Sequence, residues 1–293
     1  MEPAYYQPSQ LKNLLKALGK NPRKALSQNF LIDGNILKKI ILAADVQPND
    51  WVLEIGSGPG ALSYALVRSG AKLVAVEKDP AFAGHLKNSK LPGLAVLTED
   101  FLQTDLEKLP LLFTGLCSPL KSKTPDQIKV IANLPYHITT PILLKLFESS
   151  PLFTSFTLMV QKEFARRLIA RPRTKDYSSL TLLAQTYAEI SLSFLVSAAS
   201  FYPQPKVASA VLFFRLKPPP LKQPDLKSWH AFVQKAFQQR RKKLTSSLAK
   251  NFAKEKIASA LVALKLNPDS RPEELAFNAF LALFQKLQTE KSP

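Results

Sequence analysis

Sulfur is almost absent from this chain. It has one cysteine, Cys117, which excludes an intrachain disulfide and a cysteine-based metal cluster. Its histidines, His85, His137 and His230, are far apart in sequence and show no metal-ligand spacing, so no metal is expected. No apolar run approaches the ~18 residues needed to span a bilayer. The start, MEPAYYQPSQ, lacks a basic stretch followed by an apolar one, so no signal peptide is expected either. The chain therefore reads as cytosolic and off the membrane. Acid is scarce as well: 22 Asp and Glu face 40 Lys and Arg, a net charge of +18. Such an excess points to a polyanionic partner, either nucleic acid or an anionic membrane surface, of which the membrane is the weaker reading. With 293 residues, 46% of them apolar, one large domain or two with packed cores are expected.

What is present has a clear rhythm. A basic lead (residues 1–24) precedes an amphipathic helix over Ile32–Ala44. Strands are expected at 51–55, 72–77, 94–99, 128–132 and 155–161, with helices between them over Ala61–Ser69, Pro80–Asn88 and Thr140–Glu148. Residues 110–127 read as a loop. This alternation implies an α/β fold, a doubly wound, mainly parallel sheet with helices on both faces. A helix near 178–188 and strand-like runs at 190–196 and 207–216 follow; the two runs could pair as an antiparallel edge. At LKPPPLKQPD (216–225) prolines crowd the chain, and the pattern beyond is helical. We expect a catalytic domain over 1–217 and a small all-helical domain over 218–293.

The stretch VLEIGSGPGAL follows the first of these strands and opens a helix. Gly56, Gly58 and Gly60 permit a tight turn and close approach of a ligand. Glu77 ends the next strand, where a carboxylate can accept both hydroxyls of a ribose. Asp100 ends the third and could accept from an exocyclic amine. A dinucleotide oxidoreductase would prefer G-x-G-x-x-G; here G-x-G-x-G follows Glu54, whose charge would repel a pyrophosphate. A cationic nucleoside such as S-adenosylmethionine suits the loop better. The competing structural reading is a plain strand–helix turn.

Asn133-Leu134-Pro135-Tyr136 stands at the tip of the fourth strand, on the same crevice edge. Pro135 restrains Leu134. The Asn133 side chain and the Leu134 carbonyl offer two acceptors, which suit an NH2 group. Tyr136 offers a ring for a planar base. The expected object is an aminated base, most simply adenine, with its nitrogen aimed at the cofactor. Two acceptors would favour a pyramidal nitrogen and in-line displacement, with no strong base needed. The competing reading is a turn closing a core strand.

Gln28-Asn29-Phe30-Leu31, the E-I-G-S-G-P-G loop, Asn133-Leu134-Pro135-Tyr136 and FYPQPKVASAV (201–211) occur in one order along nearly the whole chain. In this the chain resembles the small-subunit ribosomal RNA adenine N6-dimethyltransferases. The resemblance implies S-adenosylmethionine as cofactor and two adjacent adenines, in a hairpin loop near the 3′ end of small-subunit ribosomal RNA, as targets. It implies cofactor contacts at Asn29, Leu31, Gly56, Glu77, Asp100 and Asn133, and target contacts at Asn133, Leu134 and Tyr136. It also implies that Phe201 stacks on the adenine's other face and that Lys206 lies near the RNA or the entrance. Read from the residues alone, FYPQPKV could instead lead into an edge strand with Phe201 in the core. Ala208 stands where the family usually has an acid, and a small loss of polar contacts is expected. His137 stands where an Asn or an aromatic is commoner, and is expected to pack rather than tune the pocket.

Three basic clusters would meet phosphate: Lys12, Lys16, Lys20, Arg23 and Lys24; Lys162, Arg166, Arg167, Arg171, Arg173 and Lys175; and Arg240, Arg241, Lys242 and Lys243. The chain is expected to act as a monomer on an immature small ribosomal subunit, reading shape and backbone with one base extruded. Two alternatives are a non-catalytic RNA-binding assembly factor and a large-subunit RNA methyltransferase conferring antibiotic resistance.

Overall fold

The structure, a computed structural model, describes residues 5–22, 28–116 and 127–289. Arg23, Lys24, Cys117 and most of the segment expected as a loop fall outside them. The chain forms two compact units, one of residues 1–165 and 191–216, the other of 166–190 and 217–293.

In the first unit α1 (Pro8–Ala17) and β1 (Phe30–Leu31) lead into α2 (Gly34–Ala43). The helix expected from Ile32 starts at Gly34 because Asp33 caps it, accepting from the amides of Asn35 and Ile36. Then come β2 (Trp51–Ile55), α3 (Ala61–Arg68), β3 (Lys72–Glu77), α4 (Pro80–Asn88), β4 (Leu94–Thr98), α5 (Leu109–Thr114), β5 (Ile128–Asn133), α6 (Thr139–Glu148) and β6 (Phe153–Gln161). The segment expected as a loop thus opens as helix α5, because Phe113 packs edge-on against Trp51. After α7 (Lys162–Leu168) and α8 (Ser179–Tyr187) follow β7 (Ala188–Val196), β8 (Phe201–Tyr202) and β9 (Ser209–Leu216).

The seven-stranded sheet runs β4-β3-β2-β5-β6-β9-β7, parallel from β4 to β6, with β9 antiparallel to β6. β7 lies beside β9 at the edge. Strand order reverses between β2 and β5, which opens a crevice at their carboxyl ends. α2 and α3 cover one face, packing Ile36, Leu37, Ile40, Leu62 and Leu66 with Val52, Leu73, Ile131, Met159 and Val211. Residues of opposite parity along the strands (Trp51, Phe156, Phe214) take Phe113 of α5 and Phe147 of α6 on the other face. A separate two-stranded sheet pairs β1 with β8, Leu31 opposite Phe201.

The second unit holds α8, α9 (Asp225–Gln238), α10 (Leu244–Ser247), α11 (Lys254–Ala263) and α12 (Phe277–Thr289). Its centre is the fully buried Trp229, ringed by Phe232, Phe277, Phe280 and Phe284. The domain boundary expected at 217 assigned residues 166–190 to the catalytic domain; they belong to this unit. The reason is side-chain chemistry. The Trp229 indole donates to Thr186 (2.9 Å), and Tyr177 donates its hydroxyl to the Leu275 carbonyl (2.8 Å).

Candidate active site

A cavity of about 490 Å³ opens at the carboxyl ends of β2, β3, β4 and β5. Its floor is the glycine turn. Gly58 (φ +51°) lies where a Cβ would meet the Phe30 ring at 3.3 Å. Gly60 (φ +96°) starts α3 where a Cβ would strike Leu86 at 2.6 Å. Both positions need glycine for conformation and for space.

Glu77, at the end of β3, is held by two amides: Gly58 N–H donates to one oxygen and Asp79 N–H to the other, each at 2.7 Å. Each oxygen keeps a lone pair for a ligand hydroxyl. Burial pushes the Glu77 pKa up, while those amides pull against it. Asp100 caps the short turn Phe101–Gln103 by accepting from Leu102 N–H (3.0 Å), and it pairs with Lys78 (2.8 Å). The Lys78 and amide contacts hold its carboxyl below the usual range.

Glu54 requires a correction. It is 2% exposed, it accepts from the Ser63 hydroxyl (2.5 Å), and burial pushes it up to about 8. The carboxyl is therefore mainly neutral at pH 7 and does not supply the repulsion of a pyrophosphate expected from it; Asp79 and Asp100 are held low, each paired with a lysine, Lys20 and Lys78. Nearby, Ser57 carries a buried hydroxyl that meets no partner among the described residues, at the cavity wall. A volume within the ordinary ligand range, a carboxylate pair-acceptor, an orphaned hydroxyl and acidic walls together fit a nucleoside with a cationic tail.

Asn133 ends β5. Its amide nitrogen donates to the Asn29 carbonyl (3.2 Å), so the side-chain oxygen is the end left to accept from a ligand. Leu134 is buried with its N–H on the Met159 carbonyl (3.1 Å). Thr139, first residue of α6, donates its hydroxyl to the carbonyls of Pro135 (3.0 Å) and Tyr136 (3.3 Å). The Tyr136 hydroxyl meets Ser209 at 2.7 Å, tying this motif to the serine of FYPQPKVAS. Burial raises the Tyr136 pKa.

Asn29, Leu31, Gly56, Glu77, Asp100, Asn133, Leu134, Pro135 and Tyr136 all line the cavity. Phe201 does not. It is 2% exposed and packs with Leu31, Ile36 and Val211, so protein covers the faces the resemblance reserves for an adenine. The expected role is corrected to the competing reading, a core residue, fixed there by pairing with Leu31. His137 is exposed and lines the cavity, which overturns the packing role expected for it. The sequence reading gave Lys20, another lining residue, to phosphate, and it missed Tyr5 and the dipeptide Phe101-Leu102, which also line the cavity. An aromatic-apolar pair directly after the third strand-tip acid was the available signal for the last.

Of the basic residues, Lys206, Arg166, Arg167, Arg241 and Lys242 are exposed, and Lys162 is half-buried. Arg240 is corrected: it ion-pairs with Glu273 and donates to the carbonyls of Lys175 and Thr174, leaving it little reach for phosphate. That anchorage places Arg240 itself against the 174–175 segment of the same unit. Lys20 is likewise internal, paired with Asp79 at 2.7 Å, and Lys243 pairs with Asp269. Among the described residues no group of His, Cys, Asp and Glu is arranged to hold a metal, and no helix is long and apolar enough to cross a membrane.

Residues 19–289 match the family model for ribosomal RNA adenine dimethylase. The chain is 44% identical over 290 residues to a ribosomal RNA small subunit methyltransferase A of Protochlamydia amoebophila, covering 98% of each chain. It is 44% identical to the protein of that name in Chlamydia muridarum, over 95% of this chain and 97% of the relative. Among solved structures, a dimethyladenosine transferase from Plasmodium falciparum matches with a TM-score of 0.72 and 26% identity, over 89% of this chain and 98% of that one. The 23S rRNA methyltransferase ErmE matches with a TM-score of 0.65 and 26% identity, over 89% and 100%.

Proposed function

The chain belongs to the ribosomal RNA adenine dimethylase family, and we propose that it dimethylates the N6 atoms of two adjacent adenosines near the 3′ end of small-subunit ribosomal RNA. The observation that carries the site assignment is the juxtaposition of two acceptors, Asn133 and Leu134, with the Glu77–glycine cradle in one cavity. S-adenosylmethionine, when bound, supplies an electrophilic methyl on sulfur.

Glu77 accepts the ribose hydroxyls, and Asp100 with the Phe101-Leu102 turn takes the adenine end. Asn29, Leu31 and Gly56 close around the same molecule. The Asn133 side-chain oxygen and the Leu134 carbonyl accept the two N6 hydrogens of the target, which localises the nitrogen lone pair along the line of transfer. Tyr136 stacks on the base and helps hold it out of the RNA. The methylated nitrogen is a strong acid and loses its proton to water, so neither a general base nor a metal is needed. Arg166, Arg167, Arg171, Arg241 and Lys242 grip RNA backbone from the helical unit, and Lys162 and Lys206 from the catalytic one. The enzyme acts as a monomer on the immature small subunit in the cytoplasm.

The structural likeness to ErmE favours one second reading, methylation of large-subunit RNA. Labelled methyl transfer to unmethylated small and large subunits, with the modified nucleosides mapped by mass spectrometry, separates them. Dimethyladenosine confined to small-subunit RNA is expected; label confined to large-subunit RNA would replace this reading with the second. Cofactor and RNA binding without transfer to either would favour a non-catalytic assembly factor.

A further inference from the structure

Lys145, in the second turn of α6, carries a charge the proposed chemistry does not use. Its ammonium donates to the carbonyls of Leu102 (2.9 Å) and Thr104 (2.6 Å) and lies 5.5 Å from the centroid of the Phe101 ring. All three contacts fall on the one turn that follows Asp100, and Phe101 and Leu102 of that turn line the cavity. Among the described residues Lys145 makes no ion pair at contact distance, although Glu99, Asp100, Asp105 and Glu148 surround it. A cation so placed serves backbone: two carbonyls that a short turn leaves without partners, and a ring face.

The other end of α6 is tied to the substrate motif, since Thr139 donates to the Pro135 and Tyr136 carbonyls. Six residues of helix, ~9 Å, separate Thr139 from Lys145. One rigid helix therefore fastens the turn read as holding the cofactor's adenine and the motif read as holding the target base. We propose that Lys145 is a positioning residue that keeps the 100–104 turn in register with Asn-Leu-Pro-Tyr, so that cofactor affinity and methyl alignment are set together by a side chain touching neither ligand. The proposal rests on the functional reading above.

Lys145→Met keeps the apolar stem and removes the donors; Lys145→Arg restores them. For each, the S-adenosylmethionine Kd is measured by calorimetry without RNA, the RNA Kd by filter binding, and kcat at saturating cofactor on unmethylated small subunits. We expect Lys145→Met to weaken cofactor binding about tenfold and to lower kcat severalfold, with RNA affinity within about twofold and Lys145→Arg recovering most of both. Unchanged cofactor affinity and kcat in Lys145→Met would overturn the proposal. So would equal losses in both variants that merely track a fall in the melting temperature of the free protein. Should Lys145→Met fail to fold, Lys145→Gln, which keeps an uncharged NH2 with two donors on a shorter stem, takes its place with an intermediate loss expected. If the unaltered protein itself binds no S-adenosylmethionine, the functional reading fails first, and the role of Lys145 falls with it.

Discussion

Glu54→Gln should remove a pH dependence of stability that belongs to one buried carboxyl. Glu54 is 2% exposed, and burial raises it from 4.5 to about 8 despite the hydrogen bond from Ser63. At ~1.4 kcal/mol per pH unit, that difference is on the order of 5 kcal/mol against ionisation in the folded state. The folded protein holds a proton that the unfolded chain has released, so stability is full below pH ~4.5 and falls as pH rises through about 8. A glutamine amide copies the neutral carboxyl. The difference in unfolding free energy between the two proteins, followed by urea titration from pH 5.5 to 8.5, should shift progressively in favour of the Glu54→Gln variant by roughly 3 kcal/mol, levelling off above about pH 8. A ligand carrying a sulfonium should draw the proton off, so S-adenosylmethionine should gain affinity over S-adenosylhomocysteine, whose sulfur is neutral, as pH rises. Parallel stability curves for the two proteins would refute the reasoning, because Glu54 would then titrate as an ordinary carboxyl.

The other expectations concern the base platform, the basic surface and the glycine turn. Tyr136→Ala should lower transfer by about 10- to 100-fold through loss of ~1–3 kcal/mol of stacking, and leave S-adenosylmethionine binding intact. Tyr136→Phe, which loses only the Ser209 contact, should cost severalfold; equal losses in the two would argue against stacking. Replacing Arg241 and Lys242 with Ala should weaken RNA binding and flatten its dependence on salt by about one contact each. Arg240→Ala should lower the melting temperature and leave the salt slope unchanged, because Arg240 is spent on Glu273 and two carbonyls. Gly60→Ala forces a Cβ at φ +96° to within 2.6 Å of Leu86 and should destabilise by about 1–3 kcal/mol, read by denaturant titration; an unchanged midpoint would contradict the strain.

The parts of the fold that local pattern controls were legible. The strands from β2 to β6 are short apolar runs punctuated by turns, and the cradle residues Gly56, Glu77, Asp100 and Asn133 fall at their carboxyl tips, where topology gathers them. What the sequence hid depends on partners far along the chain. Phe201 is buried because it pairs with Leu31, 170 positions earlier. Residues 166–190 join the helical unit because Thr186 and Tyr177 find Trp229 and Leu275. Arg240 looks like its basic neighbours until Glu273 is placed beside it. The charge state of Glu54 follows from burial, which a glycine motif does not display.

The claim at the centre is that Asn133 accepts from the target nitrogen while its own amide is held by Asn29. Methyl transfer to unmethylated small subunits by Asn133→Ala, beside the unaltered protein, tests it most directly when cofactor and RNA affinities are measured on the same samples. Loss of one acceptor should lower kcat by about 10²–10³-fold, with both affinities falling far less. Transfer at an undiminished rate, yielding the same dimethyladenosine, would contradict the account.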